Sequence, residues 1–270
     1  SPRSPTATGS PTARRSRTTS HALRGDVVLD HGISTFDTAD VYANTKAESV
    51  LGEALKGERR ESLEIFTKVY WPTGPGGKND TGLSRKHIME SINGSLRRLD
   101  MDYVDLYQAH RFDVETPLEE TLRFMDDAVS AGKISYFGLS NFIGWQIAAI
   151  SELAVSSGRV APVMLQPQYN LLTRYIELEV VPACLEYGLG IIPWSPLGGG
   201  WLTGKYARDS MPTGSTRLGE NPKRGMENYD GRNTDPQVWR ILDAVTDVSQ
   251  RTGLSMAQVS LAWVVDQPGV

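Results

Sequence analysis

The chain has 270 residues, with 28 Lys and Arg against 32 Asp and Glu and a formal net charge of −4. This length suits one large α/β domain, and the near balance of charge provides no global field that would attract nucleic acid or an anionic membrane. A single cysteine, Cys184, excludes an internal disulfide, so we expect a cytoplasmic protein with a buried, unreactive thiol. The four histidines occur singly and no apolar run reaches the ~20 residues of a membrane span, so neither a metal site nor membrane insertion is expected.

The first part of the chain differs in composition from the rest. Residues 1–21 consist almost entirely of Ser, Thr, Pro, Arg, Gly and Ala, and we expect a disordered or aberrant segment there. A targeting peptide and a misread gene start are the alternatives, because such composition occurs in transit peptides but the regular apolar face is missing. We expect residues 22–270 to form one domain.

Strand and helix patterns alternate from residue 22 onward. Short apolar runs predict strands at residues 33–39, 63–69, 103–110, 134–140, 163–170 and 189–196. Apolar residues spaced three and four apart predict helices at residues 47–57, 84–99, 117–132, 145–158, 179–188, 235–253 and 255–267. The alternation predicts an α/β fold with a parallel sheet, either doubly wound or a (β/α)8 TIM barrel. The barrel is favoured because no GxGxxG motif follows an early strand.

Two predicted loops are unusually long. They run from Trp71 to Gly82 and from Arg208 to about Thr234, and both are rich in Gly, Pro, Asn and charged residues. Loops of this length in compact domains are often lids or binding loops, with solvated filler as the alternative.

Four polar residues near the ends of successive predicted strands suggest an acid–base site. They are Asp37, Tyr42, Lys68 and His110. In a barrel, the carboxyl ends of the strands meet at one mouth, so these side chains are expected to converge. A lysine beside a tyrosine lowers the tyrosine pKa, a buried aspartate can hold that lysine, and a histidine can orient the substrate oxygen. Taken singly, each residue also has an ordinary explanation as a turn cap, rim aromatic, surface lysine or core histidine.

Later strand ends carry a second group of polar residues. Ser140, Asn141 and Gln166 could together satisfy a carboxamide, although each could equally cap its strand. Trp194 offers a flat face for a heteroaromatic ring, and the three glycines at 198–200 allow backbone N–H groups to approach a phosphate. Lys205 can add positive charge there.

Taken together, several motifs resemble the aldo-keto reductase superfamily, in the branch with bacterial reductases and the β-subunits of voltage-gated potassium channels. They are FDTADVY, GLSRKHIMESINGSLRRLDMDYVDLYQAHRFD, TPLEET, GLSNF and WSPLGGGWLTGKY, within residues 32–267. The resemblance implies a (β/α)8 barrel and NADPH-dependent reduction of aldehydes or ketones, with Tyr42 as proton donor assisted by Asp37, Lys68 and His110. It also implies that Ser140, Asn141 and Gln166 hold the nicotinamide amide and Trp194 stacks on its ring. By the same resemblance the remaining cofactor contacts are Ser195, Leu197, Gly198 and Lys205 at the pyrophosphate, and Arg217 as a clasping arginine.

Both ends of the chain depart from that family pattern. Nothing at the start resembles the expected hairpin and first strand, and the sequence stops at Val270, where the eighth strand would begin. We therefore expect a barrel that lacks its first and last strands, with an open seam. Three hypotheses remain: a carbonyl reductase, a nucleotide-binding regulatory subunit of the channel β-subunit type, and an inactive truncated product. A homo-oligomer is possible.

Overall fold

One parallel sheet forms the centre of the fold. The computed structural model describes residues 27–208 and 210–270, so the expectation for residues 1–21 lies outside the described residues. Six strands pair in the sequential order β1 to β6. Their bounds are β1 (Thr35–Asp37), β2 (Glu64–Val69), β3 (Val104–Ala109), β4 (Ile134–Ser140), β5 (Met164–Gln166) and β6 (Gly190–Ile191). All six predicted strands are confirmed.

Helices connect the strands, as a parallel sheet requires. The crossovers contain α1 (Lys46–Ala54), α2 (Arg85–Leu99), α3 (Leu118–Ser130), α4 (Gly144–Ser157) and α5 (Val180–Tyr187). After β6 follow α6 (Arg217–Glu220), α7 (Tyr229–Asn233), α8 (Pro236–Thr252) and α9 (Met256–Val265). The seven predicted helices are confirmed, whereas the short helices α6 and α7 lie in a segment that was predicted to be loop.

The strand order distinguishes the two predicted architectures. Neighbours run from β1 to β6 without reversal, whereas a doubly wound sheet changes direction at a switch point. The α/β class is therefore confirmed, and the six strands correspond to part of a barrel. On the outer side of β6, the Ile191 amide donates to the Gly269 carbonyl at 2.7 Å. Within residues 27–208 and 210–270, β1 has no partner strand on its outer side.

Two apolar clusters stabilise this arrangement. The larger one fills the space between the sheet and its helices and includes Ile65, Tyr107 and Phe137. The smaller one surrounds Trp201 and joins the segment after β6 to α8 through Leu242. The carboxyl ends of all six strands are thereby held at one edge of the sheet.

The packing of α1 on α2 gives a stability prediction. A Cβ atom at Gly52 would lie 2.7 Å from the Leu99 carbonyl carbon, which is backbone and cannot move aside. We expect Gly52→Ala to lower the free energy of unfolding by about 1–3 kcal/mol, although alanine usually favours a helix. Urea denaturation followed by circular dichroism measures this. Gly190→Ala is the control, because no atom lies within 4 Å of a Cβ there. Equal unfolding midpoints for the two variants would contradict this close packing.

Candidate active site

An ion pair with a buried lysine lies beneath the carboxyl ends of the first three strands. The Lys68 side chain on β2 is fully buried, and its Nζ donates to Asp37 Oδ2 at 2.5 Å and to the Thr38 carbonyl at 2.7 Å. Gln108 stands opposite Lys68 in the β2–β3 register and donates from Nε2 to Asp37 Oδ1 at 3.0 Å. The side chain of Asp37 is 33% exposed, contrary to the prediction that it is buried, because β1 has no described strand on its outer side.

Two aromatic rings lie above this ion pair. Lys68 Nζ is 5.0 Å from the centroid of the Tyr42 ring. The ring of His110 packs edge-to-face against Tyr42 with 5.7 Å between centroids. The His110 amide donates to the Val69 carbonyl at 2.9 Å, which fixes the residue just after β3 beside the end of β2. The structure thus brings together Asp37, Tyr42, Lys68 and His110.

The electrostatics of Tyr42 differ from the prediction. Burial, followed by the negative charges of Asp37 and Asp40, raises the pKa of Tyr42 to about 12. The predicted lowering of this pKa by Lys68 is wrong, because burial and these two carboxylates outweigh the attraction of the Lys68 ammonium. Burial also lowers the pKa of Lys68, against the opposing effect of that ion pair.

His110 is held in its neutral form. Burial and the nearby Lys68 ammonium lower the pKa of His110 to about 4. Its Nδ1 atom is buried and, among the described residues, has no hydrogen-bond partner. A positive charge on His110 next to the Lys68 ammonium would be costly, so the imidazole is neutral near pH 7.

The site opens into a cavity of about 630 Å³. Six residues predicted as site residues line it, namely Tyr42, His110, Ser140, Asn141, Gln166 and Trp194. The two long loops also contribute, the first through Trp71 and the second through Met226. Between the two interpretations of these loops, this position favours binding loops over solvated filler.

The predicted carboxamide-binding residues are mostly bonded to one another. Asn141, in the left-handed region with φ 58°, donates from Nδ2 to the His110 carbonyl at 3.1 Å and to Ser140 Oγ at 3.0 Å. Its Oδ1 accepts from Trp194 Nε1 at 3.0 Å. Ser140 Oγ in turn donates to the Gln166 carbonyl at 2.8 Å. Within the part of the chain that the structure describes, the side-chain amide of Gln166 alone among the three is without a hydrogen bond.

The predicted phosphate contacts lie beside this cavity rather than in its wall. They are Ser195, Leu197, Gly198, Lys205 and Arg217, around the short 3-10 helix Gly198–Thr203 and α6. Lys205 and Arg217 are exposed. A Cβ atom on Gly200 would lie 2.7 Å from Lys205 Nζ, so the lysine packs against the glycine run.

Glu227, which the sequence did not indicate, lies among the predicted phosphate contacts. The carboxylate of Glu227 accepts from Ser195 Oγ at 2.7 and 2.8 Å and from Gln168 Nε2 at 3.0 Å. Glu227 is only 3% exposed, and Gly199 donates its backbone N–H to Ser195 Oγ at 3.1 Å. Glu227 comes from the loop after Arg208 and had no local signal. Gln108 was also missed, although its position two residues before His110 on one strand placed it on the same face.

Three further features of the described residues concern metal sites, the cysteine and membrane spans. Residues 27–208 and 210–270 contain no group of three His, Cys, Asp or Glu side chains placed to hold a metal ion. Cys184 is buried as predicted, and burial raises the pKa of its thiol to about 12. Among the described helices, none is long and apolar enough to cross a membrane.

Comparison with known proteins identifies the family. Residues 8–270 match the model described as the aldo/keto reductase family. The chain belongs to the aldo/keto reductase family. The predicted resemblance is therefore confirmed, and the six parallel strands correspond to part of the family's (β/α)8 barrel.

Relatives within the aldo/keto reductase family carry two kinds of name. A probable voltage-gated potassium channel subunit beta of Oryza sativa is 41% identical over 244 residues, covering 89% of this chain and 73% of the relative. A putative subunit of the same type from Schizosaccharomyces pombe is 40% identical over 247 residues, covering 89% and 70%. Versiconal hemiacetal acetate reductase of Aspergillus parasiticus is 35% identical over 255 residues, covering 88% and 72%.

The environment of His110 predicts a pH dependence of stability. Its pKa in the folded protein is about 4, below the ordinary value of about 6.5, so the unfolded chain binds this proton more tightly. Folding stability from this group is complete above about pH 6.5 and is lost as pH falls towards 4. We expect an NMR titration to give an imidazole midpoint near 4, and His110→Gln to reduce the loss of stability over this pH range. A midpoint near 6.5 would contradict the burial of the ring.

Proposed function

We propose that this protein is an NADPH-dependent reductase that converts aldehydes or ketones into alcohols, with Tyr42 as the proton donor. The observation that carries the proposal is the position of Tyr42 and His110 at the cavity, above the ion pair between buried Lys68 and Asp37. Membership of the aldo/keto reductase family and a relative named as a reductase support an oxidoreductase.

The side chains can move a proton to a carbonyl oxygen. With a pKa of about 12, the phenol of Tyr42 keeps its proton at neutral pH and is available as an acid. As that proton leaves, negative charge develops on the Tyr42 ring, whose centroid is 5.0 Å from the Lys68 ammonium. The attraction between the two opposite charges stabilises the developing phenolate. Neutral His110, with its proton on Nε2, can donate a hydrogen bond that orients the same oxygen.

The residues present fit both the nicotinamide ring and the phosphates of a nicotinamide dinucleotide. At the cavity, the side-chain amide of Gln166 forms no hydrogen bond within the described residues, and Trp194 provides a ring face. When bound, the reduced nicotinamide would supply the hydride. Beside the cavity, Ser195 and Gln168 already hold the carboxylate of Glu227, and donors that hold a carboxylate also suit phosphate oxygens. The preference for NADPH follows from the family resemblance.

A second candidate function is a nucleotide-binding regulatory subunit. The names of the rice and fission-yeast relatives favour it. Such a protein would bind cofactor tightly and recover an integral membrane protein in a pull-down from solubilised membranes. The biological effect of a regulatory subunit would not require the proton of Tyr42. The variant Tyr42→Phe therefore separates the two candidates.

Removal of the Tyr42 hydroxyl tests the proposed reaction. We expect Tyr42→Phe to reduce kcat for NADPH-dependent reduction of 4-nitrobenzaldehyde by about 10²- to 10⁴-fold, because the general acid is lost. Its hydroxyl has no hydrogen bond within the described residues, so the folding midpoint should not change. Tyr136→Phe, at an exposed tyrosine on β4 outside the cavity, is the matched control. Unchanged kcat in Tyr42→Phe would exclude the proposed role.

The carboxylate of Glu227 predicts competition with the cofactor phosphates. Because like charges repel, a phosphate on Ser195 requires Glu227 to leave or to be neutralised. We expect Glu227→Gln to tighten NADPH binding by about 10-fold, or ~1.4 kcal/mol, measured by fluorescence titration. Glu119→Gln, which neutralises an exposed carboxylate on α3, controls for net charge. Weaker binding by Glu227→Gln would show instead that the carboxylate supports the cofactor.

A further inference from the structure

The cavity contains an arginine without an acidic partner. Arg111 follows His110 directly and lines the cavity. Its guanidinium carbon lies 5.4 Å from the centroid of the Tyr70 ring and 5.3 Å from that of Trp71. Within residues 27–208 and 210–270, Arg111 forms no ion pair and no hydrogen bond. The two rings hold the charge in place and leave its five N–H donors available.

Among the described residues of the cavity wall, no carboxylate balances this charge. The residues that line the cavity include neither Asp nor Glu. Asp113, two residues further along, accepts from the Leu83 amide at 2.7 Å, from Thr116 Oγ1 at 2.6 Å and from the Glu115 amide at 3.0 Å. Its oxygens are therefore occupied in fixing the turn that carries Arg111. Among the described residues that line the cavity, Arg111 is the only one with a formal charge at neutral pH.

The remaining walls of the cavity are mainly apolar. Trp71, Phe112, Val114 and Ile143 lie around the same space as Arg111. A ligand that fits these surfaces has an apolar body, and one that satisfies the guanidinium carries an anionic group. Arginine suits a carboxylate best, because its planar fork can donate two parallel hydrogen bonds.

We propose that Arg111 determines specificity by binding a carboxylate on the aldehyde or ketone substrate. This inference rests on the proposed reductase function and names the substrate class: carbonyl compounds with an apolar body and a carboxylate remote from the reacting carbon. Arg111 acts on the substrate's far end, while Tyr42 and His110 act on its carbonyl oxygen.

A pair of aldehydes of the same shape tests the substrate class. 4-Formylbenzoate is anionic, and its methyl ester is neutral. We expect Arg111→Met to lower kcat/KM for 4-formylbenzoate by about 10- to 100-fold and to change that for the ester less than about 3-fold. Arg111→Lys keeps the positive charge but loses the planar fork of donors. Its kcat/KM for 4-formylbenzoate should therefore lie between those of the unmodified protein and Arg111→Met. Salt should weaken the preference of the unmodified protein for the anion and leave the Met variant unaffected, because exposed charges are screened.

Arg123→Met is the matched control, because it removes a surface arginine of α3 that pairs with Glu119 outside the cavity. It should leave the ratio of the two kcat/KM values unchanged. If Arg111→Met changes both substrates equally, or neither, the specificity role of Arg111 is overturned.

A binding measurement separates this inference from the proposed function. Benzoate and benzamide differ in charge but not in size, and Trp71 beside Arg111 reports their binding through its fluorescence. We expect benzoate to bind about 10-fold more tightly than benzamide, and Arg111→Met to abolish the difference. If no aldehyde is reduced but this difference is found, the anion site stands and the reductase proposal fails. Reduction of both aldehydes without any difference in binding overturns the anion site alone.

Discussion

The buried ammonium group of Lys68 is the constraint on which the site depends. A fully buried charge is stable only with close partners, and here they are a carboxylate and a carbonyl at the end of β1. Gln108 from β3 completes the arrangement by donating to the same carboxylate. Three strand ends are thus fixed relative to one another by one polar network. Tyr42 lies over this network, and its pKa is raised first by burial and then by the charges of Asp37 and Asp40.

The charges of the site are separated by their surroundings. Lys68 is paired below the cavity, whereas Tyr42 and His110 stay uncharged in its wall because burial disfavours their ionised forms. Arg111, which lines the cavity and has no acidic partner within the described residues, is held by aromatic faces. The uncharged Tyr42 and His110 thus lie in the same cavity as the cationic Arg111. This arrangement can bind an anionic molecule by one end and protonate it at the other.

Hydrogen bonds among the later strand ends organise the opposite wall. Asn141 adopts a left-handed conformation, and its side chain links the end of β3 to Trp194 after β6. The indole ring is therefore fixed before any ligand arrives. Beyond it, Glu227 joins the long loop to Ser195, and Trp201 donates to the Glu227 carbonyl at 3.1 Å. The loop is held by contacts to the very groups proposed to bind phosphate, so loop position and ligand binding are coupled.

Local sequence patterns were sufficient to predict the strands and helices and to identify the polar residues at the strand ends. Apolar runs and three- and four-residue spacing located six strands and seven helices, and parallel strands necessarily bring Tyr42, His110 and Trp194 to one edge. The sequence pattern does not show which groups come into contact in the folded chain. The exposure of Asp37 depends on the neighbours of an edge strand, and the pKa of Tyr42 depends on charges brought from other segments. The partnership of Glu227 with Ser195 joins residues 32 positions apart, and only the folded chain decides such a contact.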